Sequence, residues 1–170
     1  MKYLFLIIFV SFSISLYPQI QENKICVLLD IDCIETVIMY KSLNEDSALK
    51  LQHNFEEEDY ITFNIISKND SMFYVEANYE INGFIGRGWI KRSVPIKIFA
   101  RNYMQSLNLY SNPAKESSVQ CEIKEYIPEQ YDVLDYDGLW LKIRIIHNGK
   151  KYEGWLSPDM QCCNPYSTCG

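Results

Sequence analysis

Apolar and polar residues alternate with a period of two along most of this chain. Phe73, Val75, Ala77, Tyr79 and Ile81 take turns with Tyr74, Glu76, Asn78 and Glu80. Ile61, Phe63 and Ile65 follow the same rule, as do Val94, Ile96 and Ile98, then Val119, Cys121 and Ile123, then Leu141, Ile143 and Ile145. Successive side chains of a strand point to opposite faces, so this period predicts half-buried strands. No window keeps the period of an amphipathic helix, and Glu45 to His53 offers at most one short helical turn. The pattern predicts an all-β protein. Thirteen Tyr among 14% aromatics strengthen that expectation, because aromatic side chains fit a pleated surface.

The pattern also repeats. With a shift of 66 residues, 70–93 lies over 136–159 without a gap. Asn82-Gly83 falls on Asn148-Gly149, and Gly88-Trp89-Ile90 falls on Gly154-Trp155-Leu156. Tyr74 meets Trp140, Val75 meets Leu141 and Ala77 meets Ile143. Upstream, Val37–Tyr40 matches Leu107–Tyr110 after a slip of four residues. An Asn-Gly step between alternating runs signals a hairpin, since a type I′ turn needs positive φ at both central residues. The Gly before each Trp marks a bulge or a close approach of two backbones. Each unit of about 65–70 residues is expected to curl some five short strands into a small barrel that hides its sheet edges.

The first residues look different. Met1-Lys2 gives one positive charge, Tyr3 to Leu16 is largely apolar, and Tyr17-Pro18-Gln19 breaks the run. That is the anatomy of a secretory signal, and the run is shorter than the ~20 residues that span a bilayer. Cleavage near Ser13-Ile14-Ser15 and cleavage nearer Gln19 or Gln21 are both arguable. Residues 1–20 are therefore expected to be a signal peptide, with no stable membrane insertion afterwards and a periplasmic or extracellular destination.

Export permits disulfides, and all six Cys follow the leader. Cys162 or Cys163 with Cys169 would staple the C-terminal segment, and Cys26 with Cys33 would close a loop. Adjacent Cys162 and Cys163 are too close to bridge each other. Cys121 reads as a buried free thiol. No C-x-x-C pair and no paired His supports a zinc site.

Charge narrows the partners. The chain carries 16 basic and 22 acidic residues, with Glu56-Glu57-Glu58-Asp59 as an acidic run that reads as a solvated loop. This balance disfavours nucleic acid and anionic lipid. No G-x-S-x-G, H-E-x-x-H or phosphate loop occurs. His53 sits near the acidic run and His147 at a predicted hairpin end, so neither reads as a catalytic base. Asp132, Asp135, Asp137 and Gly138 lack the spacing of a calcium loop and read as turn residues. No catalytic residue, metal or cofactor is expected.

The second unit resembles a bacterial SH3 domain. Leu107-Asn108-Leu109-Tyr110-Ser111-Asn112-Pro113 is similar to that family's opening run, Asp137-Gly138-Leu139-Trp140-Leu141-Lys142-Ile143 to its G-x-W-x-K-V strand, and Gly154-Trp155-Leu156 to its closing G-W-V. Tyr110 stands where the family has Arg, and Asn112 where it has Gly. The first unit keeps Tyr74 and Gly88-Trp89-Ile90 but lacks the opening run, as a divergent copy would. The resemblance implies a divergent SH3-like barrel at 21–93, a second at 94–160 and a Cys-rich C-terminal tail at 161–170. Some bacterial members are fused to cell-wall peptidases; the chain ends after the second unit, so no such enzyme is expected.

SH3-like barrels bind along aromatic-lined grooves. The resemblance therefore implies a ligand surface at Tyr110, Tyr131, Tyr136, Trp140, Tyr152 and Trp155, with Tyr40, Tyr74 and Trp89 as the counterparts in the first unit. The expected partner is a peptide, a peptidoglycan stem or an envelope protein. The expected role is an exported, non-enzymatic binding module; the alternative is an envelope adaptor or structural module that uses the cleft between the barrels.

Overall fold

The computed structural model describes residues 24–43, 47–167 and 169; the expected leader, 1–20, lies outside the described residues. The described chain is all-β. Its strands are β1 (Ile25–Leu29), β2 (Val37–Tyr40), β3 (Ala48–Leu51), β4 (Ile61–Lys68), β5 (Met72–Tyr79), β6 (Gly83–Lys91), β7 (Ile96–Ala100), β8 (Leu107–Tyr110), β9 (Val119–Ile123), β10 (Tyr131–Asp137), β11 (Trp140–His147), β12 (Lys150–Leu156) and β13 (Gln161–Cys162).

They pair in the order β3-β2-β6-β5-β4-β1-β7-β10-β11-β12-β8-β9, with β13 alongside β7. Add six to each label of the first half and the second half appears, read in reverse. The halves meet where β1 pairs antiparallel with β7, Leu28 opposite Lys97 and Leu29 opposite Ile96. Antiparallel pairing of equivalent strands relates the halves by a local two-fold. The expected pair of separately closed barrels is thus replaced by one open sheet, with β3 and β9 at its ends. Each half satisfies its exposed edge with the other. The core is shared too: Val27, Leu29, Phe63, Val75 and Ile90 belong to one buried cluster with Ile96, Ile98, Leu109, Ile143 and Leu156.

The strands corrected several expectations. Ala48–Leu51, read as part of a helical turn, is a strand paired along β2, because four cross-strand partners outweigh a weak local preference. Ile81 falls in a turn and is exposed, and Val94 precedes β7.

The repeat is real in topology but not free of gaps. Val75 lies opposite Gly88, whereas Ile143 lies opposite Gly154. Val75 therefore corresponds to Ile143, 68 residues on, and Tyr74 to Lys142 rather than Trp140. The first half holds two extra residues. One is in the turn, where Glu80, Ile81 and Asn82 stand against Asn148 and Gly149. The other is Ile85, skipped by the pairing between Ala77 and Asn78. Two residues are one full period of a strand, so the inward and outward faces stayed in phase under the shorter shift.

Asn148 (φ 52) and Gly149 (φ 73) both take the left-handed conformation that a type I′ turn requires. In the first half Gly83 (φ 81) does so, but Asn82 does not. Asp59 explains the difference. Its carboxylate accepts the Ile81 N–H at 2.8 Å, the Asn82 N–H at 3.1 Å and the Asn82 side-chain amide at 2.8 Å. These bonds fix the wider turn. Glu56, Glu57 and Glu58 are exposed as expected, but Asp59 is fully buried.

The C-terminal segment joins the sheet. Beyond Lys97, where β1 leaves it, β7 pairs instead with β13, Ala100 opposite Gln161 and Phe99 opposite Cys162. Cys162 bridges Cys169, one of the expected staples. Cys26 bridges Cys163, not Cys33. Cys33 is a free thiol because its expected partner is held by the tail, and Cys121 is free and half-buried.

The two bridges differ in leverage. Cys26–Cys163 spans 137 residues and Cys162–Cys169 spans 7. Loop-closure entropy then assigns about 5 kcal/mol to the first and about 2.5 kcal/mol to the second. Paired Cys26→Ser and Cys163→Ser substitutions are expected to lower the unfolding free energy by nearly twice as much as paired Cys162→Ser and Cys169→Ser. Urea unfolding of both double variants checks this; an equal or smaller loss for the long-range bridge contradicts it.

Candidate ligand-binding site

The sheet has a core face and an outer face, and aromatic rows lie on the outer one. Inward on β8, β11 and β12 point Leu109, Leu141 and Leu156, all buried. Outward, Tyr110 on β8 stands directly opposite Trp155 on β12. Lys142 on β11 continues the row. Trp140, two residues before Lys142, shares its face and meets the Tyr110 ring edge-on, with centroids 5.4 Å apart at 87°. In the first half Tyr40, Trp89 and Tyr74 stand opposite one another across β2, β6 and β5, with Tyr74 and Trp89 centroids 5.1 Å apart. All six rings are half-buried. Directly opposed side chains share a face at the closest cross-strand spacing, so the register alone assembles these rows.

Glycine makes that register possible. A Cβ on Gly88 would sit 2.5 Å from the Tyr40 carbonyl oxygen and 2.7 Å from Met39 Cγ. One on Gly154 would sit 2.9 Å from Leu109 Cβ and 3.1 Å from the Tyr110 carbonyl oxygen. The glycine before each Trp is thus a close approach of two strands, the second of the two expected roles.

Beside Trp140 opens a shallow hollow lined by Pro113, Ala114, Lys115, Glu116, Pro158 and Asp159. The Ser117 hydroxyl shapes its first wall by donating to the Asn112 carbonyl at 3.0 Å and accepting the Asn112 N–H at 3.3 Å. The short 3-10 turn Pro158–Met160 forms the second. Lys115 and Asp159 face each other at 3.4 Å, both well exposed. These loop residues were not picked out in the sequence. Asn112-Pro113 reads in the sequence only as part of the opening run, and nothing in the spacing brings residue 158 to it.

The structure brings Tyr110, Trp140 and Trp155 together and separates the other three residues expected there. Tyr131 is fully buried. It faces inward with Val133, opposite Ile98, and burial pushes its hydroxyl far above the usual tyrosine range. No ligand on the outer face reaches it, which corrects its assignment. Tyr152 shares its side of β12 with Gly154 and Leu156, leans on the core and carries the Lys150 ammonium 4.6 Å above its ring. Tyr136 sits in the crease between the halves, 6.2 Å from Phe73, with the Lys68 ammonium 4.7 Å from its ring centroid.

Asp132 and Asp135, expected in turns, lie within β10 and anchor ion pairs. Asp135 holds Lys68 at 2.7 Å and Arg92 at 2.5 Å, both from the first half. Asp132 holds Lys97 at 2.6 Å and Arg144 at 2.8 Å, while Lys97 also reaches Asp30 at 3.3 Å. Burial pulls the Asp132 carboxyl up, but hydrogen bonds from Lys97 and Arg144 outweigh it and hold it below its ordinary range. Burial likewise pulls Lys97 down, and Asp132 and Asp30 more than offset that.

Both histidines are engaged in structure. His53 is buried; its Nδ1 accepts the Ile61 N–H at 3.0 Å, so Nε2 carries the proton and donates to the Asp30 carbonyl at 2.9 Å. His147 lies between Glu125 and Glu129, at 3.3 and 3.4 Å.

No protein-family model matches the chain, and no curated protein matches it. Among solved structures it is similar to NlpC2 from Trichomonas vaginalis, with 14% identity and a TM-score of 0.36, over 82% of this chain and 48% of that one. The chain spans about half the length of that protein. The bacterial SH3 resemblance therefore rests on Leu107–Pro113, Asp137–Ile143 and Gly154-Trp155-Leu156.

The rows yield a stability ranking. Gly88→Val and Gly154→Val are expected to unfold the protein, because each drives a branched side chain into a neighbouring backbone. Trp140→Ala removes a half-exposed ring and is expected to cost about 1 kcal/mol. Thermal melts of the three variants check this, and a Trp140→Ala variant as unstable as either Val variant contradicts the outer-face assignment.

Proposed function

We propose that this chain is an exported, non-enzymatic binding module of two SH3-like halves, which holds a peptide or a cell-wall stem peptide on its outer aromatic face. The observation that carries the reading is the cluster of Tyr110, Trp140 and Trp155 beside the hollow that the exposed Lys115–Asp159 pair lines. Aromatic rings that keep one face to water offer large contact area at low conformational cost. The hollow adds a proline wall and both signs of charge, which suits a backbone carrying amino and carboxyl groups.

Three features support the wider reading. The repeated strand order supports two related units, each of six strands. The two disulfides are at home in an oxidising compartment, which accords with the leader. Both ring nitrogens of His53 are committed to backbone groups, which leaves it no base to offer a thiol or hydroxyl. The cleft between the halves is the less favoured surface, because Lys68, Arg92, Phe73, Asp135 and Tyr136 fill one side of it.

Sedimentation with purified insoluble peptidoglycan tests the reading. Wild-type protein is expected to co-sediment, and Trp140→Ala and Tyr110→Ala to lose at least ten-fold in apparent affinity while staying folded, their melting lowered by no more than the few degrees that about 1 kcal/mol implies. Retention unaltered by both substitutions, or no retention of the wild type, contradicts it.

A further inference from the structure

We infer that the first half carries a second site of the same kind, and that the fold holds both sites open on one face for a ligand with a repeated peptide epitope. This inference rests on the function proposed above and adds the form of the ligand.

The duplication is geometric. Tyr40 opposite Trp89 and Tyr110 opposite Trp155 are the same pair in the same register, each joining strands two and six of its half. Gly88 and Gly154 permit the same close approach beneath them. The first row ends in Tyr74, where the second has Lys142, and Trp140 supplies the third ring of the second row from one step away.

Each row adjoins a hollow of similar chemistry. Beside Tyr40 a hollow of about 210 Å³ is lined by Glu35, Thr36, Lys91, Ser93 and Pro95. The second hollow offers Lys115, Glu116, Asp159, Pro113 and Pro158 beside Trp140. Each places a lysine, a carboxylate and a proline next to an aromatic ring. Among the described residues neither Glu35 nor Lys91 has an ion-pair partner, so both remain available to an amino group and a carboxylate of a zwitterionic peptide. In the second hollow Lys115 and Asp159 meet each other at 3.4 Å, an exposed pair that opens to the same amino and carboxylate groups, so the two hollows offer one kind of occupant matching charges.

The strand order sets their relation. A two-fold normal to the sheet at β1–β7 keeps both rows on the same face. Trp89 on β6 and Trp155 on β12 are seven strand steps apart. At ~4.8 Å per step this is about 34 Å along the sheet, an upper limit on the direct distance because the sheet curls. An extended peptide covers that in roughly ten residues, and neighbouring peptides on a polymer cover it without strain. Two engaged sites then raise the apparent affinity for a polymer by about 10²–10⁴ over one.

Calorimetric titration of the full chain with soluble monomeric stem fragments, released from peptidoglycan by a muramidase, counts the sites. The wild type is expected to bind two fragments. Trp89→Ala and Trp140→Ala are each expected to bind one, and each to lose ten-fold or more in sedimentation with intact peptidoglycan. Tyr74→Ala, whose ring alone is removed from the first row, repeats the test should Trp89→Ala melt early. One fragment per wild-type chain, unaffected by Trp89→Ala or Tyr74→Ala, overturns the second site and leaves the first standing. No fragment bound to folded wild type overturns both.

Discussion

Everything in this fold hangs on the pairing of β1 with β7. It is short, two residue pairs extended by the Asp30 N–H donating to the Pro95 carbonyl at 2.8 Å. Yet it sits at the centre of the sheet and joins two edges that would otherwise be open. Core residues of both halves flank it, so each half buries apolar surface that it could not bury alone. A barrel of roughly 70 residues is near the lower limit of independent stability. Sharing a sheet and a core is the solution this chain adopts.

The polar groups around the seam follow from that constraint. Lys97 projects to the outer face between Asp30 of the first half and Asp132 of the second. Lys68 and Arg92 cross from the first half to Asp135. Cys26 and Leu28 share the outer face of β1; Leu28 is fully buried and Cys26 carries the bridge to the tail. The tail thus extends the edge that β1 abandons and is locked to β1 itself. Two short pairings, several charged contacts and one long-range bridge together fix the angle between the halves, and with it the two aromatic rows.

Much of this was legible in the sequence, and the rest was hidden for physical reasons. Period-two alternation found most of the strands, and the Gly-Trp steps located the close approaches under Trp89 and Trp155. The exact offset was not legible, because an insertion of two residues leaves every side chain on its proper face. The role of Asp59 was hidden by its acidic neighbours, since composition cannot tell a solvated carboxylate from one that binds two backbone amides. Tyr131 failed as a site residue because tyrosine suits both core and rim, and only its register with Ile98 decides. The Cys26–Cys163 bridge joins residues 137 apart, which no local spacing can reveal. Of the candidate site, the aromatic members were readable and the loop walls that shape its hollow were not.

The seam makes one cooperative body of the two halves. The three tryptophans report on it directly, because Trp89 lies in the first half and Trp140 and Trp155 in the second. Urea unfolding followed by fluorescence is to be compared for a Trp89→Phe variant and a Trp140→Phe/Trp155→Phe variant, with far-ultraviolet circular dichroism on each. Fluorescence and dichroism are expected to give one coincident transition within each variant, whichever half carries the probe. Separate fluorescence and dichroism midpoints, with one half melting while the other stays folded, would contradict it.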